Sequence, residues 1–209
     1  MDEGLRTRKD LLDRLQNETN VFADPKVKSA FEAIDRNDFV PNDYKIESYE
    51  DYALPIGFGQ SISQPTTVAF MLELLNVEEG NKILDVGSGS AFTTALLAHM
   101  TGEKGNVLGI EIIPELADQG RKNIAPYQFK QARIENVPKN NGFEKKDSFD
   151  RILVNASAEE LPVSLTDQLE PEGILVIPVG DSIYKITKNS EGVLSEEHFP
   201  GFSFVPLME

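Results

Sequence analysis

The residues best placed to do chemistry are two carboxylates and two hydroxyls. Asp85 stands just ahead of a glycine turn in Lys82–Ala95, KILDVGSGSAFTTA, and Glu111 closes the apolar run Val107-Leu108-Gly109-Ile110-Glu111. Ser61 and Ser63 sit in Leu54–Pro65, LPIGFGQSISQP, a stretch rich in hydrogen-bonding groups and free of charge. Gly87 and Gly89 allow main-chain conformations closed to other residues, so a ligand can lie against bare backbone at the start of the next helix. A carboxylate at the end of the following strand, about 20 residues on, is where ribose hydroxyls find an acceptor. The combination points to a nucleotide-type ligand. No base accompanies it. His99 and His198 have no metal-ligand neighbour at suitable spacing and read as surface or packing residues, and the absence of cysteine excludes a thiol nucleophile, disulfides and cysteine-based zinc sites. Any reaction here has to run without a strong proton acceptor.

Two nucleotide loops compete for Gly87–Phe92. A dinucleotide fingerprint, G-x-G-x-x-G, uses its third glycine for close helix packing beside a pyrophosphate, and that position holds Phe92. The S-adenosylmethionine loop is an acid followed by G-x-G-x-G, and Asp85-Val86-Gly87-Ser88-Gly89-Ser90-Ala91 departs from it only at Ala91. With no pyrophosphate to hold, a methionine-bearing nucleoside tolerates the bulkier helix start. Glu111 suits both loops, and it counts against an ordinary strand-to-helix turn. For the Ser61/Ser63 segment the plain alternative is a cap on the helix bearing Val68, Met71, Leu72 and Leu75, with Ser63 as N-cap and Pro65 in the first turn. It is too long for a cap alone.

The elements that position these groups follow from periodicity. Leu5, Leu11, Leu12 and Leu15 mark an amphipathic helix in residues 1–20, and Asp24-Pro25 starts a second with Val27, Phe31 and Ile34 on one face. Both precede any strand and are expected to form an N-terminal lid. Residues 37–60 read as a long irregular segment. Strand 83–86, helix 92–100, strand 107–111, helix 114–124, an irregular stretch 125–148, strand 149–155, helix 162–169 and strand 174–179 then alternate. That pattern predicts an α/β fold, a doubly wound and mostly parallel sheet with ligands at the carboxyl ends of its strands, where Gly87, Glu111, Asn155 and Gly180 fall. The tail, Ile183–Lys188, a turn at 189–192 and a return through Phe202–Leu207, predicts a closing antiparallel pair. We divide the chain at 65/66: residues 1–65 as helices plus substrate and cofactor loop, and 66–209 as the nucleoside-binding domain of one structural unit.

Charge and length narrow the partners. A net charge of −15 over 209 residues, without basic clusters, argues against nucleic acid as a partner. No apolar stretch is long enough for a bilayer and no signal peptide opens the chain, so a cytoplasmic, monomeric protein with no membrane contact is expected.

The runs LPIGFGQSISQP, LDVGSGS, GIE, FDRILVNASAEELP, QLEPEGILVIPVG and FVPL resemble, in the same order and over most of residues 30–207, the protein-L-isoaspartate O-methyltransferases. The resemblance implies a class I, Rossmann-like methyltransferase fold whose last two strands exchange places. It implies S-adenosyl-L-methionine as methyl donor, with S-adenosyl-L-homocysteine as product. The substrate it implies is the free carboxylate of isoaspartyl residues in damaged proteins and peptides, whose methyl ester collapses to a succinimide on the way to repair. Carried over by motif, Ser63 is the active-site serine with Ser61 beside it. Asp85, Gly87, Ser88, Gly89, Glu111 and Ile112 fall to the cofactor, and Ile62, Val205 and Pro206 to the substrate. A carboxylate with a pKa near 4 is already ionised at neutral pH, which suits a site without a base.

Two departures stand out. Ala91 replaces the third loop glycine, and the family's Gly-Asp-Gly after the fourth strand, whose Asp meets the adenine amine, is missing. Gap-free counting back from Phe149-Asp150 puts Pro138 at that Asp, and Glu135 or Asn136 could serve only if the backbone shifted. A carboxyl methyltransferase acting on another peptide, or a non-catalytic relative that binds peptide or nucleoside, are the alternatives.

Overall fold

A computed structural model describes residues 7–19, 21–138 and 147–208. In chain order the elements are α1 (Arg8–Asn17), α2 (Pro25–Ala33), β1 (Leu54–Gly57), β2 (Gln60–Ile62), α3 (Pro65–Leu75), β3 (Lys82–Val86), α4 (Phe92–Thr101), β4 (Asn106–Glu111), α5 (Pro114–Ile124), β5 (Ala132–Asn136), β6 (Phe149–Val154), α6 (Val163–Asp167), β7 (Leu169–Val179), β8 (Ser182–Lys188) and β9 (Leu194–Pro200). Strands β3 to β9 form one sheet in the order β5-β4-β3-β6-β7-β8-β9, while β1 and β2 form a separate hairpin. The first five pair in parallel, and β8 and β9 close the sheet antiparallel. The last three strands therefore lie side by side in chain order, as the exchanged-strand variant requires.

Alternation along the strands sorts their side chains between two apolar layers. Ile83, Val107 and Leu153 join the layer under α1 to α4, while Leu84, Leu108, Ile152 and Val154 face the layer that includes Leu165 of α6. The N-terminal helices cover the first of these layers: Leu11 and Leu15 of α1 and Val27 and Phe31 of α2 are buried in it, with Phe31 edge-on to Phe92 of α4 at 5.8 Å. Asp24 caps α2 through Lys26 N at 2.8 Å with Pro25 in the first turn, as expected; Leu5 lies outside the described residues.

Several expectations need correction. Residues 37–60 are not irregular throughout: they contain 3₁₀ turns at Arg36–Phe39 and Asn42–Glu47, then the β1–β2 hairpin. The cap weighed as the plain alternative for the Ser61/Ser63 segment falls away, since Ser63 does not cap α3. Gln64 is the N-cap and makes no side-chain cap bond, and the Asp51 carboxylate instead accepts from Thr66 N at 2.9 Å and Thr66 Oγ1 at 2.6 Å. The stretch 125–148 contains β5, an edge strand in which only Ile134 is buried, so apolar alternation gave no sign of it; residues 139–146 lie outside the described residues. The helix read as 162–169 is the shorter α6, because Leu169 already belongs to β7. The return strand is β9, not Phe202–Leu207. Gly201 N and Phe202 N both donate to Asp181 O at 3.0 Å and turn the chain off the sheet, and Phe202 stacks on Phe70 of α3 at 5.5 Å.

Candidate active site

Strand order reverses between β3 and β6, the place where open parallel sheets leave a crevice above their carboxyl ends. A cleft occupies that crevice. Its floor is the turn after β3. Gly87 N and Ser88 N both donate to Ile110 O, at 2.9 and 3.0 Å, and Gly89 N donates to Glu111 Oε2 at 2.9 Å. Gly87 and Gly89 have φ of +70° and +49°. A Cβ on Gly87 would meet nothing within 4 Å, so the space beside it is open to a ligand, whereas one on Gly89 would lie 3.0 Å from Ile56 Cδ1, where the β1–β2 hairpin rests on the turn. Ala91 takes the left-handed conformation as well, at φ +70°, and is fully buried at the start of α4. Its neighbour Gly120 is tightly enclosed: a Cβ there would stand 3.2 Å from the Ala91 methyl, 3.1 Å from Gly89 O and 3.0 Å from Ile134 Cδ1.

The two acids play different parts. Glu111 lines the cleft, and its oxygens accept from Gly89 N and Ile113 N at 2.9 Å each. A carboxylate offers about four acceptor positions, so capacity remains for about two further donors. Asp85 does not line the cleft, which corrects its expected place against the cofactor. It is wholly buried behind the turn and accepts from Thr93 Oγ1 at 2.9 Å, Thr94 Oγ1 at 2.5 Å and Asn155 Nδ2 at 2.7 Å. Burial disfavours its charge and raises its pKa to about 6, against the pull of those three donors. Asn155 gives a second amide contact to Val86 O at 3.1 Å and lines the cleft, so Asp85 reaches the site through Asn155 and through the start of α4.

The remaining expected residues do come together. Ser88 and Ile112 line the same cleft as Ser61, Ile62 and Ser63 of the hairpin, and Val205 and Pro206 close it from the chain's C-terminal segment. That segment is pinned by main chain: Ser157 N donates to Val205 O and Leu207 N to Ser157 O, both at 2.8 Å. Val137 and Pro138 form the wall beyond β5, with Val137 N bonded to Glu111 O at 3.0 Å, so Pro138 lines the cleft. Among the described residues no protein group bonds the hydroxyl of Ser61 or Ser63. Sequence reasoning missed Arg36, which donates to Ser63 O at 3.3 Å, and Thr93 and Thr94; none of these has a motif of its own to mark it. No group of three or more metal-binding side chains occurs among the described residues.

The reversed strand order, the acid-and-glycine turn and the Glu111 carboxylate at the end of β4 define a class I methyltransferase fold. The profile of the protein-L-isoaspartate(D-aspartate) O-methyltransferases matches residues 6–209. Protein-L-isoaspartate O-methyltransferase 2 of Archaeoglobus fulgidus is 39% identical over 203 residues, covering 96% of this chain and 92% of that protein. The Methanopyrus kandleri protein-L-isoaspartate O-methyltransferase is 38% identical over 210 residues, covering 97% and 92%. A Plasmodium falciparum protein described as an enzyme of this kind, solved in complex with S-adenosyl-L-homocysteine, superposes with a TM-score of 0.84 at 27% identity, covering 97% of this chain and 99% of that one. The chain belongs to the protein-L-isoaspartate(D-aspartate) O-methyltransferase family.

Proposed function

We propose that this cleft methylates the free carboxylate of L-isoaspartyl residues in damaged proteins and peptides, the first step of their repair. The observation that carries the reading is the pairing of a nucleoside-shaped floor with two uncommitted hydroxyls and no base. The floor fits S-adenosyl-L-methionine on this structure's own terms: Ser88 Oγ is buried without a partner, open space lies beside Gly87, and Glu111 keeps two acceptor positions. Bound there, the cofactor supplies an electrophilic methyl group, which a carboxylate oxygen takes directly to leave S-adenosyl-L-homocysteine. The chain's residues have only to bind, align and exclude water. Glu111 takes the ribose hydroxyls, Gly87 to Gly89 the main-chain approach, and Ile112 the apolar wall beside the base. Ser63, supported by Ser61, donates its hydroxyl hydrogen to the substrate carboxylate and holds it in line with the donor, while Ile62, Val205 and Pro206 flank the peptide. No proton need move, since the acceptor is already ionised at neutral pH. Alignment of this kind acts by confining two reactants to a near-attack geometry.

Among the described residues no helix is long and apolar enough to cross a membrane. The acidic net charge of −15 favours peptides over nucleic acid as partners, and we place the enzyme in the cytoplasm as a monomer. The segments 1–65 and 66–209 then work as one unit, since α1, α2 and β3 contribute to the same apolar layer.

The test uses labelled S-adenosyl-L-methionine with an isoaspartyl peptide and its aspartyl twin. Label in the isoaspartyl peptide alone is expected, and equal labelling of both, or of neither, would defeat the reading. Ser63→Ala should lower kcat by about one to two decades, the worth of one hydrogen bond to a charged group, while S-adenosyl-L-homocysteine affinity stays within about twofold.

A further inference from the structure

Arg36 opens the 3₁₀ turn Arg36–Phe39 and is 2% exposed. Among the described residues its guanidinium faces no carboxylate at salt-bridge distance; its two terminal nitrogens bond main-chain carbonyls, and Nε is left without a partner. Nη1 donates to Ser48 O at 2.8 Å and Glu50 O at 3.1 Å, and Nη2 donates to Tyr52 O at 2.9 Å and Ser63 O at 3.3 Å. Three of these acceptors belong to the strap 48–52, and the fourth belongs to Ser63, which lines the cleft. The same strap carries Asp51, whose carboxylate secures Thr66 at the start of α3. Ser63 is thus bracketed, its own carbonyl by a buried cation and the helix start just after it by a buried anion.

Burying a cation is costly, and a carbonyl in a strap near the surface could be satisfied by water instead. Burial does lower the Arg36 pKa, to about 10, with the Asp51 charge opposing the shift, so the group stays protonated at neutral pH. A rigid planar fork binds several acceptors at fixed angles, which a lysine ammonium cannot do. The serine on the far side of that carbonyl is asked to hold a carboxylate by a single hydroxyl, and such a contact works only if its own backbone is fixed to about half an ångström.

We infer that Arg36 is a positioning residue for methyl transfer: by gripping the Ser63 carbonyl together with the strap 48–52, it fixes where the Ser63 hydroxyl stands, touching neither substrate nor cofactor. This rests on Ser63 as the residue that holds the substrate carboxylate. Its signature is non-additivity. If Arg36 acts through Ser63, removing the hydroxyl removes most of what Arg36 contributes to turnover; if it merely knits the fold, the loss is the same with or without the hydroxyl.

The experiment is a double-mutant cycle of Arg36→Lys and Arg36→Gln with Ser63→Ala, read by single-turnover methylation of an isoaspartyl peptide, where slow variants remain measurable, and by calorimetric affinity for S-adenosyl-L-homocysteine. In the Ser63 background the Arg36 variants are expected to lose about tenfold or more in rate, Lys less than Gln, with cofactor affinity within about threefold. In the Ser63→Ala background the same changes should cost less than about threefold. Equal losses in both backgrounds, cofactor affinity falling in step with rate, or failure of both Arg36 variants to fold would each overturn the inference. Full turnover by Ser63→Ala alone would instead remove the assignment of Ser63, a result distinct from any of these.

Discussion

On the glycine-turn side of the cleft, Asp85 accepts three side-chain hydrogen bonds and Glu111 two from main chain, whereas on the hairpin side the Ser61 and Ser63 hydroxyls have no protein partner among the described residues. The first side has a fixed shape before any ligand arrives. Its two carboxylates are buried, and leaving one unpaired would cost about 1–3 kcal/mol, so each is held by neighbouring donors, while Ser88 Oγ alone stays unpartnered there. The second side is held from behind, through carbonyls bonded to Arg36 and through main-chain contacts of Val205 and Leu207 to Ser157. Its cleft-facing capacity is left free. The division matches the demands of the reaction, since the cofactor is the same at every turnover while the damaged peptide differs.

The largest expected break in this contrast is at Asp85. Asp85→Asn keeps the shape but turns an amide hydrogen toward groups that now donate, and should destabilise the ligand-free protein by about 2–3 kcal/mol, read from the urea midpoint. Loss of cofactor affinity with unchanged stability would mean that Asp85 faces the ligand after all. The same variant sharpens the pH behaviour. Because burial holds the folded-state pKa at about 6, above the ordinary 3.8, the folded protein takes up this proton first as pH falls. The contribution of Asp85 to stability is therefore fully present below about pH 4 and lost as pH rises through 6. Wild type should gain stability relative to Asp85→Asn on going from pH 6 to pH 4; a difference that stays flat would place the carboxyl near its ordinary pKa.

Glu111→Gln should have a smaller and mixed effect. One of the amides of Gly89 and Ile113 loses its charged acceptor, and a ribose hydroxyl loses another, so S-adenosyl-L-homocysteine affinity falls by about 1–2 kcal/mol, roughly tenfold, with a modest drop in ligand-free melting temperature. A fall in melting temperature alone would make Glu111 a brace for the turn and nothing more. Smallest is Pro138→Asp, which puts an acceptor on the wall beyond β5. It should tighten the same ligand by about 1 kcal/mol, without changing the ligand-free stability by more than about half that. No change in affinity would show that the adenine amine does not point at this wall.

The glycine-turn side was largely legible in the sequence because its logic is local. Asp85, Gly87 and Gly89 lie within one turn, and Glu111 ends the next apolar run, so spacing alone brings them together. What spacing could not reveal was that Asp85 faces inward, since that depends on Thr93, Thr94 and Asn155 arriving from two other elements. The hairpin side was legible only as a motif. Arg36 acts on carbonyls, 12 to 27 positions away in the chain, and a carbonyl has no letter of its own. Strands β5 and β9 escaped for a different reason. Both are edge strands, and β9, Leu194–Pro200, is exposed along nearly its whole length, so neither has an apolar face to announce it. Phe202–Leu207 looked more like a strand than β9 does because its apolar residues serve the cleft and α3.

Ala91 constrains what the chain can become. Its left-handed backbone, at φ +70°, admits few side chains, and its methyl occupies space that a Cβ on Gly120 would otherwise approach to 3.2 Å. The two positions therefore cannot drift independently. A descendant that acquired a side chain at 120 would need the Ala91 methyl, the Gly89 carbonyl and Ile134 each to give by a few tenths of an ångström, which is easier once the methyl at 91 is gone. The order of the substitutions, as much as their identity, would decide which sequences could inherit this turn.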